Sequence, residues 1–228
     1  MNELREGGLA VNQAFWTWGI AALAGALAGW LANRAADLLP AVGPAGAGVQ
    51  PGERTWPRRP PALMAAVIAA FLLGWARFAG DLPALVTFWL FATYFLTVLV
   101  IDLEHRRVLD VMSGPAALVA LALAGSRGLP ALGNAALGGL VGFGFFLLAA
   151  ILSRGKLGVG DIKLAGVIGL AAGYPHVVSA LFLGIVLGGL ASLILLTSRR
   201  IGLKSYIAYA PYLCLGALAI LFTTLGSY

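Results

Sequence analysis

Long apolar runs, broken by short polar or turn-forming clusters, make up most of this chain. Eight of them predict helices, at about Ala14–Ala32, Ala62–Phe78, Leu82–Ile101, Val111–Gly125, Leu132–Leu152, Ile162–Gly173, Val177–Thr197 and Ile207–Leu225. A helix needs about 20 apolar residues to cross the hydrocarbon core of a bilayer, and most of these runs approach that length. Gly80–Pro83, Gly125–Pro130 and Gly173–Pro175 are turn signals between consecutive runs. The runs are continuous rather than alternating with polar positions, which excludes a membrane β-barrel. The sixth run is too short to cross unless Gly158–Gly160 also sits at membrane depth. Non-helical backbone at that depth is tolerated only when buried in protein or facing a water-filled cavity.

Composition makes the class explicit. Hydrophobic residues are 61% of the chain, charged residues 11%, and the mean hydropathy is +0.93. A soluble domain carries about 25% charged residues, so this chain lacks the polar surface to cover itself in water. The expectation is an all-α, polytopic membrane helix bundle of about eight transmembrane helices. The small-residue steps in Gly138–Gly144 and Gly184–Gly189 read as helix-packing faces, because small side chains let membrane helices approach closely. No lysine-bearing phosphate loop follows a predicted strand, so nucleotide binding has no support. The lone Cys214 lies in an apolar run, which rules out a disulfide or a cysteine metal site within one chain and makes a small apolar role the default. Met1–Gln13 sets Arg5 against Glu3 and Glu6 and lacks the basic stretch of a cleaved signal.

Charge placement predicts orientation. With the amino terminus outside and alternating helices, the inside segments hold 12 of the 15 basic residues. These are Arg34, Arg54, Arg58, Arg59, Arg106, Arg107, Arg154, Lys156, Lys163, Arg199, Arg200 and Lys204; Arg5, Arg77 and Arg127 remain outside. An excess of Lys and Arg marks cytoplasmic loops, so both termini are expected outside and the loops around Asn33–Pro61, Asp102–Asp110, Arg154–Asp161 and Thr197–Ser205 inside. The net charge of +6 then reads as topology rather than as nucleic-acid affinity.

Two carboxylates stand at the edges of apolar runs on that inside face. Asp102 ends the charge-free run Phe88–Ile101, and Asp161 follows the glycines of Gly158-Val159-Gly160. Ionisable groups at membrane depth cost roughly 2.5–3.5 kcal/mol on insertion scales and are functional candidates by default. Two aspartates are the minimum for an aspartyl protease, in which two carboxyls share one proton and activate a water. The plain alternative is that both end helices at the water interface. A proton- or ion-coupled small-solute transporter is the other functional reading, since carboxylates beside broken helices also form ion sites. Placement of both aspartates at one face rather than at the midplane argues against it.

Ile101-Asp102-Leu103-Glu104-His105-Arg106-Arg107-Val108-Leu109-Asp110, followed by Gly158-Val159-Gly160-Asp161-Ile162-Lys163-Leu164, resembles the type IV prepilin peptidases, GxGD membrane aspartyl proteases. Leu31–Pro40 is similar to the end of that family's first helix, and Tyr206–Leu218 to its last-helix pattern. The resemblance implies Asp102 and Asp161 as the catalytic pair, Gly158 and Gly160 as close-approach positions for substrate, and supporting places for Lys163 and Asp110. It also implies a pilin or pseudopilin substrate cleaved at the cytoplasmic side of the inner membrane, with no cofactor and no metal. Residues 62–228 would form the peptidase core, and 1–61 the first helix with a cytoplasmic loop. Leu109 stands where the family usually carries proline. Bifunctional relatives carry cysteine pairs in the first loop and methylate the cleaved product; Asn33–Pro61 has no cysteine, which argues against a zinc-dependent methyltransferase.

Read from the residues alone, Asp110 is favoured as an N-cap of the fourth helix over a catalytic role, while Lys163 reads equally as tuning the field near Asp161 and as a basic residue near a helix start. Glu104, His105, Arg106 and Arg107 are expected to form a solvated loop. Trp16, Trp18, Trp30 and Trp56 suit interfacial anchoring.

Overall fold

Helices form where the apolar runs predict them, and glycine, proline and aspartate punctuate them. The computed structural model describes residues 2–39 (2–15 as backbone), 59–105, 108, 110–153, 157–198 and 209–226. Among these, eight helices and no strand are present: α1 Asn2–Leu38, α2 Arg59–Phe78, α3 Leu82–His105, α4 Asp110–Ser126, α5 Leu129–Leu152, α6 Val159–Ala172, α7 His176–Thr197 and α8 Ala210–Thr224. Asp81 Oδ1 accepts the Ala84 backbone N–H at 3.0 Å and so caps the head of α3. Gly128, at φ 107°, turns the chain into α5, and Gly173, at φ 69°, closes α6. Such φ values favour a residue without Cβ.

The chain is an all-helical, multi-pass membrane bundle. Helices α2, α3, α5 and α7 are long and apolar enough to cross a membrane. The first helix is longer than the pattern predicts, 37 residues, and α6 is short, 14 residues. At 1.5 Å per residue α6 spans about 21 Å, less than a hydrocarbon core of about 30 Å.

The main core lies among α3 to α8, around Phe88, Phe91, Phe95, Leu164, Ile168, Leu213 and Leu221. A second cluster, Ala32, Leu63, Val67, Phe71 and Val100, fastens the α1–α2 pair to the side of α3. The predicted small-residue faces appear where helices touch. A Cβ on Gly138 or Gly169 would run into the facing backbone of α6 or α5, and one on Gly184 would meet Leu213 of α8 at 2.9 Å. Gly144 and Gly189 face open space instead.

Consecutive helices alternate in direction. The tail of α3 and the heads of α2, α4, α6 and α8 therefore share one end of the bundle. The basic residues Arg54, Arg58, Arg106, Arg107, Arg154, Lys156, Arg199, Arg200 and Lys204, with Trp56, Leu109 and Tyr206, lie outside the described residues.

Candidate active site

Asp102 occupies the last turn of α3 and is 5% exposed. Asp161 sits in the first turn of α6, where the backbone N–H of Asp161 donates to the Gly158 carbonyl at 3.1 Å. Unpaired N–H groups at a helix head favour a negative charge, so this position suits a carboxylate. Helix α8 packs against both α3 and α6. Its Cys214, fully buried, is within electrostatic range of both Asp102 and Asp161. Carboxylates 59 positions apart in sequence thus stand at the same end of the bundle, on helices that both touch α8.

The glycines beside Asp161 have different duties. A Cβ on Gly160 would lie 2.8 Å from Cβ of Val108, so glycine lets the α3–α4 connection press against the head of α6. A Cβ on Gly158 would lie 3.4 Å from Asp161 Oδ2; glycine keeps that side of the carboxyl open. Asp110 is the first residue of α4, and its Oδ1 pairs with Lys163 Nζ at 2.7 Å. The two supporting residues therefore join each other across α4 and α6. Their exposure, 72% for Asp110 and 39% for Lys163, makes this a modest tie.

Three groups near the carboxylates were not singled out from the sequence. Cys214, expected as an ordinary apolar residue, is fully buried on α8 within electrostatic range of both aspartates. Tyr209, at the head of α8, is within electrostatic range of Asp161, and its hydroxyl donates to the Ile185 carbonyl at 3.4 Å. Tyr94, two turns along α3 from Asp102, faces Ser113 of α4. A polar ring or hydroxyl inside an apolar run was the only available signal, and many such residues merely anchor helices.

The expected solvated loop after Asp102 is corrected at its first residues. Glu104 and His105 belong to the last turn of α3, and the Glu104 side chain is only 2% exposed. Its Oε1 lies 3.5 Å from Nε of Arg59, which heads α2 and is fully buried. Arg59 also pairs through Nη2 with Asp37 of α1. Next to it, Asn33 Nδ2 donates to the carbonyls of Gly29 and Pro60, each at 3.0 Å. Arg59, expected as a loop cation, instead joins three helices. A buried charge is retained only when paired, and removing one partner leaves the others uncompensated. Among the described residues, no group of three or more His, Cys, Asp or Glu side chains is arranged to hold a metal ion.

The segment containing both aspartates now meets its relatives. Residues 89–193 match the type IV leader peptidase family. The resemblance drawn from the two aspartate motifs is borne out over the stretch that holds them both. Among curated proteins, the chain is 30% identical over 82 residues to the prepilin leader peptidase/N-methyltransferase of Bacillus subtilis (strain 168). That alignment covers 36% of this chain and 33% of the relative, so the chain matches about a third of the relative's length. No solved structure matches the chain. Arg59, Tyr209 and Cys214 fall outside the family match.

Proposed function

We propose that this chain is a membrane aspartyl endopeptidase that removes the leader of prepilin-like or pseudopilin-like substrates at the cytoplasmic face of the inner membrane. The observation that carries the reading is the placement of Asp102 in the last turn of α3 and Asp161 in the first turn of α6, two helix ends at one end of the bundle, both inside the stretch that matches the type IV leader peptidase family. As a catalytic pair the two carboxyls would share one proton, because close carboxyls do not both ionise cheaply, and so they divide the labour. The ionised one takes a proton from water as the water oxygen attacks the scissile carbonyl carbon. Its protonated partner gives its proton to the carbonyl oxygen, forming a neutral tetrahedral diol. Collapse of the diol breaks the C–N bond, and a carboxyl proton passes to the leaving amine. The open side of Asp161 at Gly158 offers an extended substrate backbone room to approach. In the resembled family, cleavage follows a glycine between a basic leader and a hydrophobic helix.

The reading extends to product chemistry: cleavage without methylation. Support comes from Asn33–Pro61, which contains no Cys or His to build a zinc-bound loop; positions 40–58 lie outside the described residues. The test is a reaction in membranes holding only this protein, with a prepilin and S-adenosylmethionine. Wild type should release the leader and leave a mature product of unmodified mass. Asp102→Asn and Asp161→Asn should insert normally and release nothing. Processing at the normal rate by either variant sinks the dyad, and a product heavier by one methyl sinks the peptidase-only reading.

A further inference from the structure

A cavity of about 510 Å³ opens at the end of the bundle opposite the aspartates. Its mouth is formed where helices turn, at Asp81, Arg127, Asn134 and Gly173. Its interior is apolar, lined by Phe91, Leu123, Leu170 and Leu221. Phe91 stands about 13 Å below the head of α3, at hydrocarbon depth. The cavity is ringed by α3, α4, α5, α6 and the end of α8, and α4 packs on α5 and α6 rather than on α3. Phe95, Leu164, Ala165 and Ile168, all fully buried, fill the bundle between this cavity and the aspartates. It is a separate site.

The mouth carries two opposite charges that do not pair with each other. Arg127 Nη2 donates to Thr87 Oγ1 at 2.6 Å and to the Pro83 carbonyl at 3.2 Å, which fixes the guanidinium over the opening. Arg127 has no carboxylate partner among the described residues, and its other N–H groups are available to an anion. Asp81 uses Oδ1 to cap α3, and among the described residues it forms no ion pair. A guanidinium with free donors suits a phosphate, and a carboxylate suits an ammonium that carries N–H. An apolar recess beneath such a pair suits an acyl chain.

We propose that this cavity binds a phospholipid bearing a primary amine, with its phosphate on Arg127, its ammonium on Asp81 and one acyl chain in the apolar recess lined by Phe91, Leu123, Leu170 and Leu221. The assignment does not rest on the peptidase reading. A headgroup without the amine leaves Asp81 unmatched, and a quaternary amine offers it no N–H. Phosphatidylethanolamine is therefore the matching probe, with phosphatidylcholine and phosphatidylglycerol as its controls.

The experiment is native mass spectrometry of the full chain in detergent with equal amounts of the three lipids. Wild type should retain phosphatidylethanolamine over the other two by roughly fivefold, the scale of one charge-assisted contact. Asp81→Asn keeps a capping oxygen but loses the charge, and should bring the three lipids to parity. Arg127→Gln should lower retention of all three by about tenfold, since the phosphate they share loses its cation. Ala124→Leu, which fills the recess from α4, should lower retention of all three while both charges remain. A melting curve on each variant establishes that it is folded. Equal retention of the three lipids by wild type overturns the proposal, as does a phosphatidylethanolamine preference that survives Asp81→Asn. Retention of no lipid overturns it too, leaving the cavity to water.

Discussion

At one end of the bundle Arg59, Asp37 and Glu104 interlock three helices, Lys163 meets Asp110, and Asp102 and Asp161 sit at the ends of α3 and α6. At the other end Asp81 and Arg127 face a cavity and do not touch each other. Both ends carry charge at the edge of a membrane, where charge is costly. The aspartate end offsets part of that cost inside the protein, through the buried pairs of Arg59 with Asp37 and Glu104. The cavity end leaves its charges facing outward, where a ligand or water must satisfy them. Pairing makes a rigid frame around a reactive pair; separation makes a receptor.

The contrast can be broken most sharply at the aspartates. Replacing either with asparagine removes acid–base chemistry and should reduce prepilin cleavage by roughly 10²–10⁴-fold or more, measured as initial rate at equal membrane content. The cavity-end variant Arg127→Gln should cleave at close to the wild-type rate in the same assay. A large loss there would mean that the two ends are coupled through the packed middle.

Next in size is Arg59→Met. It strands two carboxylates at a three-helix junction and should cost about 3–5 kcal/mol, read as an early thermal transition in detergent. Arg127→Met removes an exposed cation held by two hydrogen bonds and should cost about 1–2 kcal/mol. Equal losses would erase the distinction between an interlocked and an open end.

The glycine seam tests the packing that keeps both ends in place. Gly169→Ala drives a methyl into the backbone of α5 and should cost about 1–3 kcal/mol. Gly144→Ala, in open space on α5, should be neutral or slightly stabilising, because alanine is the better helix former by roughly 1 kcal/mol. The smallest effect belongs to Lys163→Ala. Its partner Asp110 is exposed, so a double-mutant cycle on the pair should give a coupling of at most about 1 kcal/mol in stability.

Pattern and punctuation alone determined the helical class and the approximate place of every described helix, because a membrane demands continuous apolar runs and turns need Gly, Pro or a capping carboxylate. They also determined that Asp102 and Asp161 share one end, since antiparallel alternation assigns each boundary a side. Asp110 was correctly placed at the start of α4, although its side chain reaches Lys163. Tertiary structure decided the burial of Arg59 and Glu104, the arrival of Cys214 and Tyr209 beside the aspartates, and the cavity among α3, α4, α5, α6 and α8. Each depends on the rotation and spacing of helices distant in sequence, set by where glycines such as Gly138 and Gly169 let backbones close. Local hydrophobicity sets whether a helix forms. The company its charged residues keep is set by which face its neighbours cover, and no local window of sequence contains that information.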